Sequence, residues 1–160
     1  METISAVGGV VIVYGTLVLM FLLTPKARSF YYICVYGISI YVMSIGKMAY
    51  HSPRPYMVDD DVNVYGCATE FGHPSGHSLN SMTFCVVLFA DFLATFPNSS
   101  NCAKASVGIA AIITPLLTGF SRLYNGDHTM DQILYGWTLG VWIAMFCHFC
   151  FRDFTIDHIN

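Results

Sequence analysis

The stretch QILYGWTLGVWIAMFCHFCF, residues 132–151, contains no Asp, Glu, Lys or Arg. A helix that crosses a bilayer needs about 20 mostly apolar residues, and this stretch is long enough. Other parts of the chain share the pattern, although Asp91 interrupts one of them and Lys47 lies near the end of another. We expect spans at about 4–23, 30–50, 78–97, 105–121 and 132–151. The sequence thus predicts an all-α, polytopic membrane helical bundle with about five transmembrane helices, in one domain over residues 1–160.

The composition supports a membrane protein and excludes two other classes. Of the 160 residues, 55% are hydrophobic and 11% are charged, against roughly 25% charged in soluble domains. A disordered chain needs low hydrophobicity and high charge, so that class is excluded. The net charge of -3, with 7 Lys and Arg, excludes a nucleic-acid binder with a basic face. We therefore expect membrane lipids, and no nucleic acid, as the surroundings and partners.

The segment between the second and third predicted spans, residues 47–77, is long for a connection inside a compact protein. Such loops are usually functional. With five spans, this loop lies on the same membrane face as residues 122–131. We call the membrane face that carries these two loops the motif face. The opposite face then carries residues 24–29, residues 98–104 and the C-terminal tail.

Three short motifs occur on the motif face: KMAYHSPRP at 47–55, PSGH at 74–77 and SRLYNGDH at 121–128. Lys47, Arg54 and Arg122 supply positive charges that can neutralise the oxygens of a phosphate in a transition state. The two guanidinium groups can also bind phosphate through paired hydrogen bonds. These residues predict a phosphate-binding site.

Ser75 and Gly76 begin the third predicted span. The free backbone N–H groups and the dipole at a helix N-terminus favour an anion there, and a glycine allows close backbone approach. We therefore add both residues to the predicted phosphate site. The sequence suggests no metal ligands, and we expect no cofactor, because the cations already supply the charge that a metal would contribute.

In these motifs the chain resembles the type 2 phosphatidic acid phosphatase superfamily, whose patterns are K-x6-RP, PSGH and SR-x5-H-x3-D. The resemblance runs from about residue 47 to residue 136. It implies that His128 is the nucleophile and forms a phosphohistidine. It also implies that His77 protonates the leaving oxygen and later activates water. Both are known roles of imidazole.

The last letter of the third motif differs. Gln132 occupies the position of the family's Asp, which holds the N–H of the nucleophilic histidine, and Asp131 precedes it. Residues three and four positions apart share a helix face, so either side chain could reach His128. The dolichyl-diphosphatase and glucose-6-phosphatase branches of the superfamily also carry Gln there, and these branches are the nearest in motif.

These observations predict a metal-independent phosphoric monoester or diphosphate hydrolase that acts on a lipid phosphate or a polyprenyl diphosphate. One alternative is a non-catalytic or accessory subunit with a phosphatase-like fold inside a larger membrane complex. Another is a sugar-phosphate phosphatase, which we disfavour because that branch has more spans than this length can supply. The sequence leaves open a homo-oligomer or a larger membrane complex.

Basic residues predict the orientation. The face opposite the motifs carries Lys26, Arg28, Lys104 and Arg152, whereas the basic residues of the motif face are all assigned to phosphate. Cytoplasmic loops are enriched in Lys and Arg. The active site is therefore predicted on the non-cytosolic side: the lumen, the periplasm or the intermembrane space.

Overall fold

The computed structural model of the protein describes residues 15, 18, 19, 21–62 and 68–159. This part of the chain contains long helices and no β-strand. The helices are α1 (Lys26–Tyr50), α2 (Gly76–Thr95), α3 (Asn101–Tyr124) and α4 (Met130–Ile159), and a short 3-10 helix covers Pro55–Met57.

Each of the four α-helices is long and apolar enough to cross a membrane. The prediction of an all-α, polytopic membrane bundle is therefore confirmed, and the protein is an integral membrane protein. Most of the predicted first span, residues 4–23, lies outside the described residues. Several boundaries differ from the prediction. Helices α1, α3 and α4 extend beyond the predicted spans, and α4 continues to Ile159 rather than ending at residue 151. Helix α2 ends at Thr95 rather than at residue 97. A proline disfavours helical geometry in the residue before it, and Phe96 precedes Pro97.

The core lies where α1, α2 and α4 meet. Its fully buried side chains include Tyr31 from α1, Leu79 from α2 and Ile143 from α4. Two glycines allow α2 and α4 to approach closely. A Cβ atom at Gly136 would lie 2.9 Å from the Ser75 carbonyl oxygen, and one at Gly140 would lie 2.7 Å from the Leu79 carbonyl oxygen. Small residues four apart are typical of tightly packed membrane helices.

Helix α3 lies at the periphery of the described bundle. Its buried residues are Pro115, Gly119 and Arg122, and its large apolar side chains, such as Ile112 and Leu117, are exposed. An exposed apolar face of this kind suits contact with lipid tails. Pro115 does not interrupt the helix, and the Trp137 indole N–H of α4 donates a hydrogen bond to its carbonyl oxygen at 3.2 Å.

Asp91 joins three helices at the end of the bundle away from the motifs. It is 2% exposed, accepts hydrogen bonds from the Tyr32 hydroxyl and the Arg152 guanidinium, and lies 3.5 Å from Arg28. A buried carboxylate is tolerated when it is paired and hydrogen-bonded in this way. Asp91 therefore forms part of the packing and lies apart from the phosphate motifs.

Candidate active site

The sequence motifs converge at one end of the bundle, where α1 and α3 end and α2 and α4 begin. Most of the predicted site residues are buried there, and His77 is half-buried. The buried ones are Lys47, Arg54, Ser75, Gly76, Arg122, His128 and Gln132. Asp131, by contrast, is exposed.

The local sequence explains how the first motif reaches this place. Helix α1 ends at Tyr50, and His51 adopts a left-handed conformation whose N–H bonds back to the Lys47 carbonyl. The prolines at 53 and 55 cannot donate backbone hydrogen bonds and restrict the residues before them, so the helix cannot continue. Lys47 thus lies on the last helical turn, and Arg54 follows in extended backbone.

The imidazole of His128 is held by Gln132. The Gln132 Oε1 atom lies 3.0 Å from His128 Nδ1, and the Gln132 Nε2 atom donates to the Pro53 carbonyl at 3.0 Å. A carbonyl oxygen can only accept, so the amide nitrogen must face Pro53 and the amide oxygen must face His128. The Nδ1 atom of His128 therefore carries the proton, and Nε2 carries the free lone pair.

The unprotonated Nε2 atom of His128 faces Arg54. One Arg54 guanidinium nitrogen lies 3.4 Å from His128 Nε2 and 3.3 Å from the Asp127 carbonyl oxygen. A phosphorus atom bonded to Nε2 would therefore have a cation beside its oxygens. His77, in the first turn of α2, lies within electrostatic reach of Arg54, Arg122 and Lys47.

Burial lowers the pKa of His128 to about 4, and the positive charge of Arg54 acts in the same direction. The ordinary pKa of histidine is about 6.5. His128 is consequently neutral at neutral pH, which is the state in which an imidazole nitrogen can act as a nucleophile.

The structure distinguishes between the two candidate partners of His128. Gln132 is 2% exposed and contacts the imidazole directly. The Asp131 carboxylate points away, with its side chain 75% exposed and 4.0 Å from the His73 ring nitrogen. The fourth position after His128 therefore supplies its hydrogen-bond acceptor, and the third does not.

Each cation of the motifs has an acceptor within the protein. The Lys47 ammonium pairs with the Glu70 carboxylate, and the Arg122 guanidinium lies 3.4 Å from the Asp127 carboxylate. Arg54 donates from Nε to the Glu70 carbonyl oxygen at 2.9 Å. The hydrogen bond from Lys47 also lowers the pKa of Glu70, so this carboxylate stays ionised at neutral pH.

The groups predicted at the start of α2 have contacts within the protein. The Ser75 N–H donates to the Gln132 carbonyl oxygen at 3.1 Å, and the Ser75 hydroxyl lies 3.0 Å from that of Ser78. This amide is therefore not a free donor for an anion, because the chain entering α4 already occupies it. Gly76 allows α1 to pack closely against α2, since a Cβ atom there would lie 2.5 Å from the Met43 sulfur. Its close approach to a phosphate stays a prediction.

Three residues of the site were not predicted from the sequence. Glu70 and Asp127 provide the counter-charges, and Gly72 makes room for Gln132, since a Cβ atom there would lie 2.7 Å from its amide. The position of Asp127 between Arg122 and His128 was a usable signal, because both flanking residues belong to one motif. Glu70 and Gly72 lie in an irregular loop, where no periodicity marks them.

Among residues 15, 18, 19, 21–62 and 68–159, no group of three or more His, Cys, Asp or Glu side chains is arranged to hold a metal ion. Independence from metals and cofactors stays a prediction, to be tested with chelators.

Comparison with known proteins agrees with the motifs. The sequence model of the PAP2 superfamily matches residues 28–156. The chain is 31% identical over 108 residues to an undecaprenyl-diphosphatase from Sulfolobus acidocaldarius, a match that covers 67% of this chain and 47% of that protein. It is 34% identical over 73 residues to phosphatidylglycerophosphatase B from Bacillus subtilis, covering 46% of this chain and 36% of that protein. The chain thus matches less than half the length of these relatives.

A solved structure has a similar fold. The crystal structure described as the first transmembrane PAP2 type phosphatidylglycerolphosphate phosphatase from Bacillus subtilis superposes with a TM-score of 0.78. The sequences are 23% identical, and the match covers 99% of this chain and 76% of that one. Since the family model covers most of the chain, including all three motifs, the resemblance is confirmed, and the chain belongs to the PAP2 superfamily.

Proposed function

We propose that the protein is an integral-membrane phosphatase that hydrolyses a lipid phosphate or a polyprenyl diphosphate, with residues 1–160 acting as a single membrane-embedded phosphatase domain. One observation carries the proposal. The His128 Nδ1 atom is held as a donor by Gln132, while Nε2 faces the Arg54 guanidinium. This arrangement presents a neutral nucleophile to an electrophile whose oxygens meet a cation. The two named relatives act, by their names, on phosphorylated lipids.

The proposed reaction has two steps. In the first, His128 Nε2 attacks phosphorus and the bond to the leaving oxygen breaks, while protonated His77 gives its proton to that oxygen. The lipid alcohol, or the lipid monophosphate from a diphosphate, then departs. In the second step His77 takes a proton from water and the water oxygen attacks phosphorus. The bond from phosphorus to His128 Nε2 breaks, and phosphate is released.

The cations stabilise the charge of both transition states. Lys47, Arg54 and Arg122 are proposed to contact the phosphoryl oxygens, together with the Ser75 hydroxyl and the Gly76 backbone N–H. Gln132 holds the His128 ring and stabilises the positive charge that this ring gains on phosphorylation. Asp131 is proposed to have no direct part, because it does not contact His128.

The decisive experiment is phosphate release by the purified protein from a panel of lipid phosphates and polyprenyl diphosphates. We expect turnover that orthovanadate inhibits, that a chelator does not change, and that His128→Ala abolishes. If the protein hydrolyses no member of the panel, the result would favour the alternative of an accessory subunit. Equal turnover by the His128→Ala variant would refute the nucleophile.

Substrate class can be tested with the same preparation. The site lies at one end of helices whose outer surfaces are apolar, so a lipid substrate can reach it while its tail stays among them. Binding energy from the remote tail helps to orient the phosphorus. We therefore expect glucose 6-phosphate to be a poor substrate. Turnover equal to that of a polyprenyl diphosphate would support the sugar-phosphate alternative.

The proposed orientation has the active site on the non-cytosolic side. It is supported by Lys26 and Lys104 at the opposite end of the bundle, since Lys and Arg are enriched in cytoplasmic loops. Cys102, which is exposed at the start of α3, should then react with an impermeant thiol reagent applied from the cytosol. In a variant that lacks the native cysteines, Asp60→Cys, on the loop of the motif face, should react only from the other side. The reverse labelling pattern would contradict this orientation.

A further inference from the structure

Two carboxylates pair with cations of the site, Glu70 with Lys47 and Asp127 with Arg122, and they differ in how firmly they are held. The Asp127 side chain beside Arg122 is 13% exposed, and its backbone N–H bonds to the Arg122 carbonyl oxygen at 3.1 Å. The Glu70 side chain beside Lys47 is 60% exposed. Asp127 is therefore a fixed part of the site, whereas Glu70 can leave its partner by rotating into solvent.

We propose that Glu70 is a displaceable occupant of the phosphate site, whose carboxylate holds Lys47 in the empty enzyme and leaves when a phosphate binds. The inference rests on the proposed function, because it assigns Lys47 to the phosphoryl oxygens. The Glu70 carboxylate pairs with the Lys47 ammonium, where a phosphate oxygen would bind.

Only the side chain of Glu70 has to move. Its carbonyl oxygen accepts from Arg54 Nε at 2.9 Å, and two residues later the Gly72 N–H donates to the Ser52 carbonyl at 2.8 Å. These bonds hold the backbone of this segment against the end of the first motif. A glutamate side chain has several rotatable bonds, so the carboxylate can leave Lys47 without a movement of the loop.

The empty site gives a reason for this arrangement. Lys47 is 9% exposed, and a buried charge without a partner is strongly destabilising. Glu70 supplies that partner until a ligand arrives. A phosphate carries more negative charge than one carboxylate and can contact Lys47, Arg54 and Arg122 together, so it can replace Glu70. The competition weakens the apparent affinity for each phosphate ligand by the same factor.

The test compares ligand binding to the full chain purified in detergent, measured by calorimetry with orthovanadate and with inorganic phosphate. Glu70→Gln keeps the backbone contacts but removes the charge, and we expect both ligands to bind about fivefold more tightly. At 1.4 kcal/mol per tenfold, this equals about 1 kcal/mol. Asp60→Asn is the matched control, because Asp60 lies exposed on the same loop and the variant makes the same change in net charge. Its affinities should equal those of the wild type.

A second comparison locates the effect. In a Lys47→Gln background, Glu70→Gln should no longer increase the affinity, since no ammonium remains to be released. Unchanged or weaker binding by Glu70→Gln alone would overturn the proposal and show that Glu70 positions Lys47. A gain of equal size in Asp60→Asn, or a gain that persists without Lys47, would also overturn it by indicating long-range electrostatics.

The outcome can be separated from that of the proposed function. A wild-type protein that hydrolyses lipid phosphates while Glu70→Gln gains no affinity would refute only the role of Glu70. A protein without turnover whose Glu70→Gln variant binds orthovanadate more tightly would support the displaceable carboxylate while the phosphatase proposal fails. A protein that neither hydrolyses lipid phosphates nor binds orthovanadate in either form would overturn both.

Discussion

Replacing Gln132 with alanine tests the assignment of the group that holds the imidazole of His128, the proposed nucleophile. The wild-type side chain accepts from His128 Nδ1 at 3.0 Å and is anchored on the Pro53 carbonyl by its amide nitrogen. In the proposed phosphohistidine the ring of His128 would be positively charged. A hydrogen bond to a charged group contributes about 1.5–3 kcal/mol, and each 1.36 kcal/mol corresponds to a factor of ten in rate. Gln132→Ala should therefore lower kcat by about 10- to 100-fold.

The adjacent acidic residue provides the matched control. Asp131 is 75% exposed on its side chain and 4.0 Å from His73, and exposed ion pairs contribute about 0–1 kcal/mol. Asp131→Ala should therefore change kcat by less than about fivefold. KM should change little in either variant, because neither side chain is expected to contact the phosphate.

The assay is steady-state phosphate release from a polyprenyl diphosphate, with circular dichroism to verify folding. Gln132→Glu keeps an acceptor for the Nδ1 proton, so it should lose less activity than the alanine variant. This comparison separates loss of the hydrogen bond from a general defect in packing. A larger loss in Asp131→Ala than in a folded Gln132→Ala would refute the reasoning and show that the third motif is aligned wrongly.

Three more predictions follow from the structure. Gly72→Ala should lower kcat about as much as Gln132→Ala, because the new methyl group would lie 2.7 Å from the Gln132 amide; activity within threefold of the wild type would contradict this. Nitrogen NMR should find the His128 ring protonated on Nδ1 alone at neutral pH. The ring should become charged only near pH 4, because burial lowers its pKa, and a titration midpoint near pH 6.5 would contradict that effect of burial. Asp91→Ala should lower the thermal midpoint, since losing one partner of a buried ion pair costs about 3–5 kcal/mol, whereas an unchanged midpoint would show that Arg152 finds another acceptor.

The sequence alone was sufficient to predict the membrane bundle and the convergence of the three motifs at one end of it. Apolar runs of membrane-spanning length are local features, and the number of spans between two motifs determines whether they share a face. The family was predicted from spacings within the motifs, such as the one between Arg122 and His128. These spacings can be read from the sequence without knowledge of the fold.

Tertiary structure was needed wherever the partner of a residue lies far away in sequence. From the sequence, both Asp131 and Gln132 could reach His128, because they lie three and four positions after it. In the structure, contacts with another segment, including the Pro53 carbonyl, hold Gln132 beside His128. The pairing of Lys47 with Glu70 depends on the path of an irregular loop, which no periodicity encodes. The helices are specified by local hydrophobicity, whereas the charge balance and the protonation state of the site arise from contacts that form only when the helix ends pack together.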